Sequence, residues 1–422
     1  MLPAAAPTTG PRRTFLPQSR RLLSRALAAS GCTKGLEPER LNLFERLLAS
    51  HLHYRHHGRI EALKALYAPF DPEFDPAFDV PAAGDEAARE ALVEAFASAA
   101  IQGNYFELSA AELEYALNHR SLFRINLHVD LGRYEVVRVF ARGETTTTER
   151  IRRGLSLKKK DVEIPCYRRI ALLLVRRPQP EDATDAKTHP PVVMKLFSMV
   201  PKADLEMLFP DIDVSMTMTD RLVIAAGFLG GLAGVIVKAG AGLVAMAAVL
   251  WFLLRRSLAH GSFPPLSPGE ITAMVGGMSA LVAIGAFIYK QWSNYRNRRL
   301  RFMHKLFNSL YFRNLDNHGG VLTRLVDEAE DEDFKEAWLA WIFLHVFGPL
   351  SETELDGRIE AWFETEFGTR VDFDCEDALE KLTAFGLVQV LSDAAGGRRL
   401  EVPDLATACR ILDARWDDYY RT

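Results

Sequence analysis

The sequence predicts an α+β integral membrane protein with a helical and antiparallel-sheet N-terminal domain, a transmembrane helical hairpin and a C-terminal winged-helix-like domain. Three observations carry that expectation. Two long apolar runs stand between residues 222 and 289. Ahead of them, apolar residues at helical spacing give way to β-branched alternation. Behind them, an acidic stretch follows the pattern helix, helix, strand, strand, helix.

The 422 residues are 48% apolar and 25% charged, the proportions of a folded chain. A mean hydropathy of −0.03 is high for so charged a protein, and the two apolar runs account for it. The net charge of −4 excludes a protein that coats nucleic acid along its whole length. That charge is unevenly spread. Residues 321–422 hold 24 Asp and Glu against 10 Lys and Arg, a net −14, which leaves +10 for residues 1–320. Such asymmetry points to different partners for the two ends. The cysteines Cys32, Cys166, Cys375 and Cys409 show no C-x-x-C spacing, which argues against a zinc ribbon or disulfide framework and fits a reducing compartment.

Residues 1–36 form a basic arm with five arginines from Arg12 to Arg25 and no acid before Glu37, the composition of a mitochondrial presequence or of a basic surface arm. A short helix is expected at Ser19–Ser30. Residues 37–221 form the α+β domain. Leu41, Phe44, Leu47, Leu48, Leu52, Leu63 and Leu66 place a long amphipathic helix over Glu37–Tyr67, and Pro69, Pro72 and Pro76 end it. Helices are expected at 84–102 and 109–118, the second with Ser109 and Glu112 as a capping box. Strands follow at Phe123–Asp130, Arg133–Arg142, Val162–Arg176 and Val192–Met199, joined as an antiparallel meander. Gly143–Lys160 and Pro178–His189 are expected as loops.

Residues 222–289 form the membrane region. Leu222–Leu254 is 33 residues interrupted by Lys238 alone, and Ile271–Tyr289 is 19 residues without a charge. A span needs ~20 apolar residues. The expected spans are 237–254 and 271–289, with Lys238 snorkelling to the interface and 222–236 as an interfacial or re-entrant lead-in. Gly227/Gly231, Gly230/Gly234 and Ala273/Gly277 have the spacing that lets helices approach closely in lipid, within the hairpin or between two copies. Residues 290–348 are a helical connector. Residues 349–422 complete the acidic winged-helix-like domain: a helix from Ser351 with Glu354 as a capping box, one from Asp374 to Phe385, strands at Leu387–Leu391 and Arg399–Val402, and a last helix from Asp404.

Chemical signals are sparse. His51, His53, His56 and His57 are the most metal-like group, but no H-E-x-x-H or paired ligand accompanies them, so a solvated helix face is expected and no metal site. Phosphate loops and a G-x-S-x-G elbow are missing. Lys195, Lys202, Asp204 and Glu206 form the candidate functional set, on a strand that leads through Pro201 into a short helix just before the membrane; Lys238 joins them as a boundary marker.

Val193-Met-Lys-Leu-Phe, Pro201-Lys-Ala-Asp-Leu-Glu-Met-Leu-Phe-Pro, the hairpin and the stretch Leu306–Leu322 resemble the domain-of-unknown-function 3754 family. Arg13-Thr-Phe-Leu-Pro, Tyr67-Ala-Pro-Phe-Asp-Pro and Lys335-Glu-Ala agree with it. The resemblance implies an integral membrane protein with two spans and no established activity, some of whose eukaryotic relatives are mitochondrial. It supplies no catalytic residues and no cofactor.

Two functions remain open at this level. One is a membrane-anchored scaffold or adaptor whose soluble domains lie on one membrane face. Its expected partners are the lipid bilayer, a protein bound by the acidic domain and a second copy, but no nucleic acid. The other is a membrane-associated enzyme using Lys195, Lys202, Asp204 and Glu206. Both termini are expected to be cytoplasmic, in the inner membrane of a bacterium or a mitochondrial membrane of a eukaryote.

Overall fold

The computed structural model describes residues 14–72, 86–118, 126–152, 159–177, 190–210, 212–215, 218–260, 265, 267–392 and 398–419. Mixed helix and antiparallel sheet is the observed class. The chain divides into two units: residues 1–115, 131–205 and 313–422 form the first, and residues 116–130 and 206–312 the second.

Two long helices make the spine of the first unit: α2 (Pro38–Tyr67) and α7 (Gly319–Phe347). They run antiparallel, because Phe44 packs against Trp341, His56 bonds Asp333 and Tyr67 reaches His318. Each end of the spine buries its own core. At one end Leu63, Tyr67, Val321, Leu322 and Leu325 pack with α3 (Glu86–Gln102) and with one face of the sheet. At the other end Phe44, Leu48, Leu52, Trp338 and Trp341 pack with α1 (Arg20–Ala29), α8 (Glu352–Phe367), α9 (Cys375–Ala384) and α10 (Leu405–Asp417). Side chains so enclosed each stabilise the fold by about 1.5–3 kcal/mol against exposure.

This second core crosses both expected boundaries. Leu16, Leu23 and Leu27 belong to it beside Leu355 and Leu412, so residues 14–29 are a structural part of the unit rather than a loose basic arm, and residues 349–422 do not close a core alone. Removing 1–36 as a leader would strip these leucines from it. Residues 1–13 lie outside the described residues.

The sheet has five antiparallel strands in the order β1 (Phe106–Glu107), β3 (Tyr134–Arg152), β4 (Lys159–Arg176), β5 (Val192–Pro201), β7 (Asn314–Asn317). The meander expected from short connections holds for β3, β4 and β5. The described part of 143–160 is strand rather than loop: the pairing continues from Arg142 opposite Arg169 to Arg152 opposite Lys159, and residues 153–158 lie outside the described residues. Thr145–Thr148 is β-branched throughout, and that stiffness favours the extended chain. Pro178–His189 lies outside the described residues. The first expected strand also differs. Its described part, β2 (Asn126–Val129), pairs with β6 (Ile212–Ser215) in a separate ribbon of the second unit.

Local signals are followed closely elsewhere. Ser109 and Glu112 exchange hydrogen bonds ahead of α4 (Ala110–Asn118), as Ser351 and Glu354 do ahead of α8. Asp374 caps α9 through the Asp377 amide. β8 (Gln389–Ser392) and β9 (Arg398–Glu401) pair as a two-stranded ribbon between α9 and α10.

The second unit is dominated by α5 (Met218–His260) and α6 (Pro268–Arg313). The expected break between a lead-in helix and a span at 236/237 does not occur. No proline interrupts 218–260, and α5 is one rod of 43 residues. At ~1.5 Å per residue α5 and α6 are roughly 65 and 69 Å long, twice a ~30 Å hydrocarbon layer. They pack on each other through glycines. A Cβ on Gly231 would lie 2.6 Å from the Phe287 ring, one on Gly242 3.0 Å from the Gly276 carbonyl, and one on Gly277 would collide with Met246. Gly230 and Gly234 face open space. Lys238 lies on α5, and its side chain is outside the described residues.

Candidate functional site

Midway along the spine, between the two cores, α7 carries Glu328, Glu332 and Glu336 at intervals of four, so all three project from one helical face. Glu332 and Glu336 are 1% and 3% exposed, and cations from distant elements reach each. Arg142 of β3 places Nη1 2.6 Å from Glu328 and Nη2 2.7 Å from Glu332. Tyr105 Oη donates to Glu328 at 2.7 Å. Burial works against the Glu328 carboxylate, but Arg142 and the tyrosine hydrogen bond outweigh it and its pKa falls. Burial likewise opposes charge on Arg142, and Glu332 and Glu328 reverse that and raise its pKa. Lys335 bonds Glu332 and donates to the Leu16 carbonyl at 2.5 Å, while the Leu16 amide donates to Glu332 at 2.8 Å. The strap ahead of α1 is thus fastened at both backbone groups of one residue.

A second set continues along the same face. Lys381 of α9 bonds Asp333 at 2.8 Å, Glu336 at 3.0 Å and Asp377. His56 Nε2 lies 2.8 Å from Asp333. Burial raises the Glu336 pKa to about 8 against the pull of Lys381. Asp333 is equally enclosed, yet the His56 hydrogen bond and Lys381 bring its pKa below the ordinary value. Asp333, Glu336 and Asp377 each offer a carboxylate oxygen within 4.8 Å of the others, a spacing a divalent cation could use. The ammonium of Lys381 supplies the positive charge to all three.

Of the residues singled out from sequence, Lys195 stands apart from Lys202, Asp204 and Glu206. Lys195 sits in mid-β5 opposite Leu172 and Asn317. Lys202 lies seven residues on, about 23 Å along an extended chain, where it pairs with Glu144 at 2.6 Å and covers the Tyr167 ring. Asp204 and Glu206 are buried in the short 3-10 turn Lys202–Leu208. The histidines divide in the same way: His51 is buried against the Leu412 carbonyl, His56 against Asp333, and His53 lies exposed beside Glu330. Sequence reasoning missed the α7 acids because the run Asp327–Glu336 has the composition of a solvated face. Its signal was the four-residue spacing running straight into the all-apolar Ala337–Leu344, a helix segment that has to be enclosed on every side.

Stretches far apart in the chain meet in this unit. Lys195 and Leu196 of β5 pair with Asn317 and Asp316 of β7, and the His318 amide donates to the Met194 carbonyl at 2.9 Å. His318 turns the chain with φ of 53°, and Gly320 leaves room for the Asp316 carboxylate where a Cβ would collide. Tyr67 Oη lies 3.2 Å from His318 Nδ1. Residues 167–320 match the DUF3754 family model, described as a protein of unknown function. The matched region contains β5, the hairpin helices and β7, so the two segments that frame the hairpin close on each other as neighbouring strands. The α7 acids lie just beyond its C-terminal limit. No solved structure matches the chain.

Proposed function

We propose that this DUF3754 protein is a membrane-anchored adaptor: the α5–α6 hairpin holds it in the bilayer, and the first unit is a soluble platform at one membrane face. A single observation carries the anchor. Within Pro268–Asn297, which is 30 residues long, the most apolar 18-residue window has a mean hydropathy of 2.0, and only 11% of that window is buried within the protein. Core helices of that composition are enclosed; this one exposes Val282 at 70% and Tyr289 at 67%. Gly240–Arg255 is a shorter apolar stretch on the partner helix, and Val244 and Trp251 are equally bare. Tyr289, Trp292 and Tyr295 sit beside Lys290 and Arg296 at the end of the α6 stretch, the aromatic and basic pattern of a membrane interface. Both spans, cytoplasmic termini and an inner or mitochondrial membrane belong to this proposal. Alkaline carbonate extraction tests it: the protein stays in the membrane pellet, and release into the wash would overturn the anchor.

The adaptor surface is assigned to the acidic end. Helices α7, α8 and α9 with the β8–β9 ribbon are read as winged-helix-like, with α9 in the position of a recognition helix. Its one cation, Lys381, is buried among carboxylates, while Asp374, Glu376 and Glu380 are exposed. Such a face suits a basic protein partner and repels a duplex.

A further inference from the structure

Beside the fastened strap, a pocket of about 360 Å³ opens between residues 15–19, β3, β4 and the first half of α7. Its chemistry is unbalanced in one direction. Glu328 Oε2 is occupied by Tyr105 and Arg142, which leaves Oε1 to face Arg169 Nε at 3.4 Å and Arg324 Nε at 3.6 Å. A guanidinium carries five N–H donors, so two arginines share one carboxylate oxygen at long range. Arg142, although only 7% exposed, has no hydrogen-bond partner for its Nε among the described residues. The other carboxylates on the wall are mostly engaged: Glu332 holds Arg142, Lys335 and the Leu16 amide, and Asp331 holds Arg20 and Lys335. Asp327 is pushed toward its neutral form by burial and by Glu330.

The geometry points to a binding pocket for a phosphate monoester, seated between Arg169 and Arg324 with Arg142 behind them. Arg169 Nη1 donates to the Arg168 carbonyl at 3.3 Å, and a tetrahedral dianion offers acceptor oxygens to the remaining donors, which arginine matches in paired hydrogen bonds. A divalent cation does not fit, because the four guanidiniums of Arg142, Arg168, Arg169 and Arg324 and the ammonium of Lys335 would repel it. The volume exceeds that of a phosphate group alone and leaves room for an organic portion against the Phe15 and Leu16 wall. The ester can be a soluble metabolite or the headgroup of a lipid such as phosphatidate.

The test uses the full chain in detergent and in lipid nanodiscs. Inorganic phosphate and glycerol phosphate should raise the melting temperature above that seen in chloride of equal ionic strength. Arg169→Gln with Arg324→Gln should weaken this by about tenfold or more in apparent Kd. Both side chains are partly exposed, with long contacts, so the variant keeps its fold. In the unaltered protein, phosphate should slow phenylglyoxal modification of these arginines, a readout that needs no variant. A variant-sensitive shift in phosphatidate nanodiscs alone identifies a lipid headgroup, and one with glycerol phosphate identifies a soluble ester. No shift with any of these probes, or an equal shift in the variant, overturns the pocket.

Discussion

Lys381 Nζ stands 2.8 Å from Asp333 Oδ1, joining α9 to α7 through two side chains that are both almost fully enclosed. The pair is one edge of a cage completed by Glu336 and Asp377. Taking away one member of a buried ion pair strands the others. Lys381→Met, which keeps length and loses charge, should therefore destabilise the protein by about 3–5 kcal/mol in urea unfolding. Magnesium or manganese should leave the melting temperature of the unaltered protein unchanged, since the ammonium already serves the three carboxylates. A metal-dependent rise would show that Lys381 yields its place.

Glu336 gives the cage a pH dependence of fixed sign. Burial lifts its pKa to about 8, from an ordinary 4.5, so the folded state holds the proton more tightly than the unfolded chain. Its contribution to stability is complete below about 4.5 and is lost as pH rises through 8. The groups facing it are Lys381, Glu332, Asp333, Asp377 and the Asn104 amide. Melting temperature should fall between pH 5 and pH 8.5, and Glu336→Gln should remove an order of 1–4 kcal/mol of that slope. An identical profile in the variant would assign the proton elsewhere.

What could be read in advance was what the chain decides locally. The capping boxes at Ser109 and Ser351 involve residues three apart, and the structure contains both. β7 was invisible because Asn314-Leu-Asp-Asn has no strand propensity; it is extended by pairing with β5, more than a hundred residues earlier. The same holds for the site. Glu332 looks like part of a solvated run until Arg142, 190 residues away, is known to face it. Lys195, Lys202, Asp204 and Glu206 were grouped because they are near in sequence, and an extended strand carried the first away from the rest.

The hairpin glycines separate into two classes. Gly277 and Gly231 each face a side chain of the opposite helix, Met246 and Phe287, while Gly234 faces open space. Gly277→Leu should force the helices apart at a cost of about 1–3 kcal/mol and lower the melting temperature in detergent. Gly234→Leu should change it little. Equal effects would mean that the hairpin is not packed through these contacts.

Topology follows from charge at the ends of the spans. Lys290, Arg296, Arg298, Arg299 and Arg301 follow the α6 stretch, and residues 255–270 hold only Arg255 and Arg256. Positive flanks stay on the cytoplasmic side, so cysteines introduced at 258–268 should label from outside intact cells and those at 305–315 should not. Labelling at 305–315 would invert the arrangement.

The acidic end should not bind DNA, and its core dictates how that is measured. Leu23, Leu27, Phe44, Leu48 and Leu52 pack among α8, α9 and α10, so a fragment of 321–422 would expose the surface these side chains cover. The full chain in detergent is the proper sample. A recognition helix needs free cations against phosphates. Lys381 is committed to Asp333, Glu336 and Asp377, and Arg399 of the ribbon donates to the Pro349 carbonyl. Arg398 is the exposed cation of the ribbon, and by itself it gives little grip against a segment of net −14. Random duplex should show no mobility shift at low salt, where electrostatic binding is strongest. A salt-sensitive shift that survives Arg169→Gln with Arg324→Gln would place nucleic acid on the acidic end after all, because those two arginines are the alternative anion grip in the same unit.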